Sequence, residues 1–295
     1  MRPSPQPDLR WPAVTARPPD RIVVGVDFTE GSLAAAQWAA RHLGRDATLT
    51  LVHVVAPPRT PNVRGLRPDR MPDPQRRLQA RMESMSGALH GLARVIGRTS
   101  TEVEVRVGDP VVQLPAYAKT VDADLLVVGG NDVFHAAPRR ETATTDRLLR
   151  QLACPGLVVR NIQSPVSSVL VVVADDAASV LAVARMVASP SAAPVVTLRL
   201  AETGPARKAD VWSTRCDRVA NAEQVRMIHD VAREVRASVI VIGSQASPTD
   251  DDDDVARLVA RTSDCSVLVV PQGAGPRLRR PIQLRAPEST ISRPA

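Results

Sequence analysis

Three apolar segments of this chain occur twice in the same order, and that repetition restricts the fold more than any other feature. Arg21-Ile22-Val23-Val24-Gly25-Val26-Asp27 is echoed by Ser168-Val169-Leu170-Val171-Val172-Val173-Ala174. Asp122-Ala123-Asp124-Leu125-Leu126-Val127-Val128-Gly129 returns as Arg236-Ala237-Ser238-Val239-Ile240-Val241-Ile242-Gly243. Ala153-Cys154-Pro155-Gly156-Leu157-Val158-Val159 returns as Asp264-Cys265-Ser266-Val267-Leu268-Val269-Val270. The offsets are 147, then 114, then 111, so the second copy has lost residues inside. A repeat of this length implies one supersecondary unit used twice, the second time trimmed.

Composition fits that frame. A length of 295 residues suits two ordinary domains. Hydrophobic residues make up 44% and aromatics only 2%, so the cores are built from Val, Leu, Ala and Ile, as buried parallel strands require. The formal charge of +7 invites a nucleic-acid partner, but only Lys119 and Lys208 among the 38 basic residues are Lys. Arg is scattered over the whole chain, and too few aromatics exist to stack bases, so a solvated basic surface is the better reading. Three Cys without a Cys-x-x-Cys pair give neither a disulfide framework nor a zinc site, and Cys154 and Cys265 read as buried, reduced residues. No apolar run suits a signal sequence or a membrane span, which leads us to expect a cytoplasmic protein without a membrane partner.

Residues 1–19 hold six prolines and read as a disordered tail, as do the basic residues 272–295. Between them lie a first domain at 20–160, a linker at 161–165 and a shortened second domain at 166–271. In the first, strands at 21–27, 48–55, 101–107, 124–128 and 156–160 alternate with helices at 32–43, 75–97, 110–120 and 143–152. In the second, strands at 168–174, 195–200, 216–220, 238–242 and 266–270 alternate with helices at 178–188, 222–236 and 254–262. The fold class is α/β, two tandem doubly wound parallel sheets. Val54 to Glu102 spans 48 residues whereas Leu200 to Cys216 spans 16, so the second copy lacks a helix. One of its sheet faces needs a cover, and we expect the other half to supply it.

The first copy resembles the universal stress protein family. The resemblance rests on Val24-Gly25-Val26-Asp27-Phe28-Thr29-Glu30-Gly31-Ser32, Leu49-Thr50-Leu51-Val52-His53-Val54 and Val107-Gly108-Asp109-Pro110. It also rests on Ala123-Asp124-Leu125-Leu126-Val127-Val128-Gly129 and Ala153-Cys154-Pro155. It covers about 21–160 and, more faintly, 166–271. It implies a Rossmann-like tandem member of a family that binds ATP or no visible ligand and often pairs through its last strands. For this chain that means pairing of 156–160 with 266–270 within the molecule, or a homodimer.

The family's ATP-binding members use Gly-x-x-Gly, nine residues, then Gly-Ser or Gly-Thr, with Gly-rich backbone and a helix N-terminus receiving the phosphates. In that register Gly129 matches, with Gly130 beside it, but Asp132, Thr142 and Ala143 break the pattern. Asp27 and Val54 match the positions that hold ribose and adenine. The base end is therefore intact and the phosphate end is not. A carboxylate about 5 Å from one phosphate charge costs roughly 3 kcal/mol at an effective dielectric of ~20. Thr144 or Thr145, Arg139 or Arg140, or a bridging Mg²⁺ would offset part of that. ATP, AMP or a cyclic nucleotide as ligand and a vestigial site all stay open. The second copy has Ala174 for the Asp, Arg199-Leu200 for His53-Val54, and five acids from Asp250 to Asp254 that repel a triphosphate, although Asp254 suits a helix N-cap.

No Walker A motif, zinc-protease motif or nucleophile elbow is present. Asp175-Asp176 lacks the Lys that a phosphoacceptor domain needs. The five His form no metal spacing: His53 reads as a strand residue with one buried hydrogen bond, His42 as part of a helix face, and His90, His135 and His229 as surface or loop residues. No nucleophile stands with a base. Together with the resemblance, this implies a non-enzymatic stress-response regulator with a weak adenine-nucleotide site in the first domain and none in the second. The alternatives are a slowly hydrolysing ATP-binding protein and a structural pair of domains that takes an unidentified protein partner through the acidic loop or basic tail.

Overall fold

The computed structural model describes residues 18–58, 73–130, 140–160, 166–173, 177–201, 213–215, 221–244 and 254–274. The first half of the chain runs β1 (Arg21–Gly25), α1 (Glu30–His42), β2 (Thr48–Val55), α2 (Pro74–Ile96), β3 (Thr101–Val107), α3 (Pro110–Thr120), β4 (Leu125–Gly129), α4 (Arg140–Leu149) and β5 (Gly156–Val159). The second runs β6 (Val169–Val173), α5 (Ala177–Ala188), β7 (Val195–Ala201), β8 (Ser213–Arg215), α6 (Asn221–Glu234), β9 (Val239–Ser244), α7 (Val255–Thr262) and β10 (Ser266–Pro271).

The strands join one sheet of ten in the order β3-β2-β1-β4-β5-β10-β9-β6-β7-β8. Read outward from the middle, each half has the same order, with β6 to β10 in the places of β1 to β5. Within each half the neighbours are parallel, and β5 meets β10 antiparallel through Val158↔Val267 and Leu157↔Leu268. The Val/Leu-rich strands 156–160 and 266–270 thus cover each other's edges, which an exposed apolar edge requires.

Both faces are covered over the middle strands, which is why strands such as β6, Val-Leu-Val-Val-Val, are buried along their whole length. One face packs Leu49, Leu51, Leu125 and Leu157 under α1, α2 and α5. The other packs Val23, Val52 and Leu126 under α3 and α4, then Leu170, Ile240 and Val267 under α6 and α7.

The halves meet edge to edge, so the expectation that one covers the trimmed face of the other fails. β7 and β8 lie at the far end of the sheet from β1–β5. The sequence adapts instead. On β7, Val196, Leu198 and Leu200 face the α6–α7 core, whereas Val195, Thr197 and Arg199 alternate onto the α5 side, in register with Leu49, Leu51 and His53 of the first half. Thr197 thus stands in the place of Leu51 on the side where a helix is missing. A short strand forms at Ser213–Arg215, and residues 216–220, where a strand is expected, lie outside the described residues.

Local chemistry sets the helix ends. Thr29 caps α1, accepting the Ser32 amide, so α1 starts at Glu30 rather than Ser32 and β1 ends at Gly25. Asp73 caps α2 ahead of Pro74, Asp109 caps α3 ahead of Pro110, and Gly97 closes α2 in the left-handed region. Asp254 does cap α7, accepting the amide of Ala256 at 3.1 Å and the hydroxyl of Ser244 at 2.7 Å.

Candidate functional site

In the first half the strand order reverses direction between β1 and β4. The chain leaves β1 for α1 on one face and leaves β4 for α4 on the other. Helices departing to opposite faces open a crevice at the carboxyl ends of these two strands. Asp27, Val54, Gly129 and Gly130 all come to that end of the sheet.

Asp27 follows β1 in a tight turn. Its Oδ1 accepts the Thr29 amide at 2.9 Å and the Thr29 hydroxyl at 2.5 Å, while its own amide donates to Ser32 Oγ at 3.2 Å. Partial burial acts to raise its pKa, but hydrogen bonding from Ser32 and Thr29 outweighs it and holds the carboxyl below its ordinary range. The result is an exposed, ionised carboxylate fixed on the helix entry.

The turn is bought by an unusual backbone at Phe28, where φ is 64°. Packing offsets the strain: the Phe28 ring lies 5.1 Å from that of His53, whose Nδ1 donates to the Val26 carbonyl at 2.7 Å. His53 therefore makes the single hydrogen bond expected of it and ties β2 to the exit of β1. Val54, its neighbour, faces the opposite side of the sheet and packs towards α3.

Gly129 touches the start of α1. A Cβ placed on it would sit 2.6 Å from the carbonyl carbon and oxygen of Gly31 and 2.7 Å from the Ser32 amide nitrogen. A Cβ on Gly130 would meet Arg160 Cγ at 2.8 Å and Val158 Cγ1 at 2.9 Å. Both glycines are required by packing alone, a second reason for them that the motif comparison does not supply. Asp132 lies outside the described residues, as do the side chains of Thr142 and Ala143 in α4. Arg147, in the last turn of α4, reaches Asp109, the N-cap of α3, at 3.1 Å.

The other ionisable candidates separate from this end. His42 stacks on Trp38 at 5.4 Å between ring centroids. His90 is exposed on α2 and bonds the Ser86 carbonyl. His229 is a half-buried residue of α6 rather than a loop residue, and burial lowers its pKa. His135 and Cys216 lie outside the described residues. Cys154 is buried and Cys265 is half-buried, and neither is in a disulfide, with burial pushing the Cys265 thiol up. Among the described residues, no three His, Cys, Asp or Glu side chains gather as metal ligands, and no helix is long and apolar enough to cross a membrane.

A model of the universal stress protein family matches residues 19–160. Residues 19–160 are a universal stress protein domain. The fold of the chain is similar to that of a universal stress protein from Archaeoglobus fulgidus DSM 4304, at 15% identity and a TM-score of 0.61, over 85% of this chain and 96% of that one. It is also similar to a functionally unknown protein from Pseudomonas aeruginosa PAO1, at 16% identity and a TM-score of 0.54, over 86% and 92%. A putative universal stress protein from Pseudomonas aeruginosa UCBPP-PA14 is similar at 15% identity and a TM-score of 0.52, over 86% and 93%. At these identities the likeness is one of fold. Comparison with functionally curated proteins finds no match. That domain match supports a stress-response protein and agrees with the α/β architecture that the repeats imply.

Proposed function

We propose that this chain is a non-enzymatic stress-response regulator in which the first half holds a weak adenine-nucleotide site and the second half holds none. The observation that carries the reading is the crevice between the ends of β1 and β4, with the ionised Asp27 fixed at its rim. A carboxylate held by backbone and hydroxyl donors is pre-organised to accept hydrogen bonds from a ribose. In the second half, the equivalent α7 entry carries Asp254, whose carboxylate already takes the Ser244 hydroxyl and the Ala256 amide. Those are donors that a phosphate would otherwise use. The tandem domain reading is supported by the repeated strand order on either side of the β5–β10 seam and by solved folds that extend over 85% of the chain. The non-enzymatic assignment is supported by the Thr29 hydroxyl at the site being engaged as the α1 cap, donating to Asp27 and accepting from the Ser32 amide.

A second reading has its own support. Gly129 and Gly130 are needed for packing whether or not a ligand binds. A pair of domains that only presents surfaces to a protein partner would retain them equally.

Calorimetric titration with ATP and with AMP, each with and without Mg²⁺, separates the two. Saturable heat that disappears in Asp27→Ala supports the nucleotide sensor. No heat from either ligand, with no nucleotide retained through purification, replaces it with the partner-binding pair.

A further inference from the structure

The ten-stranded sheet ends on β3 and β8. β8 has 3 residues, the short kind of edge that resists pairing, whereas β3 has 7. β3 gives only one of its sides to the sheet. The Ser100 carbonyl and the Gly108 amide both bond to β2, at Leu49 and Val55. Backbone groups alternate sides along a strand, so Glu102, Glu104 and Arg106 turn theirs to β2. Thr101, Val103, Val105 and Val107 turn theirs outward, where no strand among the described residues meets them.

The side chains divide between the two faces. Val103 and Val105 pack into the core under α2. Arg106 lies on the α3 face, where Nε donates to Gln113 and the guanidinium stands over the Tyr117 ring. Glu104 shares that face and pairs with Arg106 at 3.4 Å, yet both side chains keep about a third of their surface in water, at 37% and 35%.

We propose that the β3 edge joins a second copy of this chain, antiparallel, about a two-fold axis through Val105. The order of charges selects that register. Outward backbone groups must meet outward groups, so the axis passes through a residue of the strand and not between two. An axis through Val103 sets Glu102 opposite Glu104, and one through Glu104 or Arg106 sets that charge against its own copy. Like charges directly opposed are destabilising. The axis through Val105 sets Glu104 opposite Arg106 on both sides of the axis, and Val103 opposite Val107. In that register Val103, Val105 and Val107 each exchange both backbone hydrogen bonds with the mate. Charges along an edge deter most strands, and here they admit the one that presents them in reverse order.

The flanking layer accepts the same mate. α2 packs over β2 and β3. Two strand spacings of about 4.8 Å would separate it from its two-fold copy, which is the distance at which helices pack. This surface is distinct from pairing through the last strands, because β5 and β10 already cover each other within the chain.

Sedimentation equilibrium of the full chain over a range of concentrations tests the proposal. A reversible dimer is expected. Glu104→Arg, which sets Arg opposite Arg, should weaken it at least about tenfold, and Glu104→Arg combined with Arg106→Glu should restore it. A monomer at every concentration, a dimer unmoved by Glu104→Arg, or a folded double variant that stays weak overturns it. Should a variant not fold, amide hydrogen exchange of the wild type decides. Exchange at Val103, Val105 and Val107 should slow as concentration rises, while Glu102, Glu104 and Arg106, already turned to β2, stay unchanged. Exchange at the three valines that does not respond to concentration overturns the proposal as well.

Discussion

Ser266 Oγ accepts the amide of Arg160 at 2.9 Å and donates to the carbonyl of the same residue at 2.7 Å. One hydroxyl thereby satisfies both backbone groups of a residue 106 positions away, at the point where β5 runs out and β10 begins. Ser266 is 1% exposed, so water is not at hand to replace it. Ser266→Ala would leave a buried donor and a buried acceptor unmet, at a cost of about 2 kcal/mol. Urea denaturation should show a lower midpoint with an unchanged slope. Ser266→Thr, which keeps the hydroxyl, should recover part of the loss.

Arg98 plays a comparable part at the end of α1. Its guanidinium reaches the carbonyls of Ala40 at 3.1 Å, Arg45 at 2.7 Å and Ala47 at 2.9 Å, and that of Gly44 as well. These are the orphan acceptors of a helix C-terminus and the loop beyond it. Arg98→Ala is expected to lower stability by about 2 kcal/mol, and Arg98→Lys to rescue little, because an ammonium lacks the planar fork that reaches several acceptors at once. Thermal unfolding of the two variants against the wild type checks this.

Much of the fold was legible in sequence because it rests on local patterns. The apolar runs of β1, β4 and β5 recur in β6, β9 and β10, and Asp109-Pro110 and Asp73-Pro74 mark helix starts within a few residues. What escaped depends on distant contacts. Arg98 and the loop it holds are about 50 residues apart, and nothing local marks that Arg among its many neighbours. The missing helix was readable from spacing, but the way its absence is met was not, since a Thr197–Arg199 alternation signals solvent only once the strand's position at the sheet end is known. At the candidate site, Asp27 and the glycines were found by resemblance. The reason for Gly129, its contact with Gly31, needs the three-dimensional approach of α1 to β4.

That contact makes a sharp prediction about two kinds of glycine. Gly129→Ala pushes a methyl group into backbone atoms of α1 at 2.6–2.7 Å, and backbone cannot swing aside as a side-chain tip can. A loss of about 3 kcal/mol or more is expected, with poor soluble yield. Gly87 and Gly91 lie in the interior of α2 with nothing within 4 Å of an added Cβ. Gly87→Ala and Gly91→Ala should therefore each stabilise by about 0.5–1 kcal/mol through helix propensity. Denaturant midpoints for all three variants give opposite signs if the contacts are as described.

Asp27 links the candidate site to acid stability. Its folded-state pKa lies below its unfolded value of about 3.8, because hydrogen bonding from Ser32 and Thr29 outweighs the opposing effect of burial. A carboxyl with a depressed pKa gives stability that is fully present above the unfolded value and is lost as pH falls through the folded one. The contribution of Asp27 is thus constant at neutral pH and fades below pH ~4. Asp27→Asn removes the proton-linked part, so its unfolding midpoint should fall less steeply than that of the wild type as pH drops below ~4. The exposed position of the side chain keeps the difference small. Parallel acid titrations of stability for the two proteins measure it, and identical slopes would mean that the Thr29 hydroxyl and amide do not hold the charge in solution.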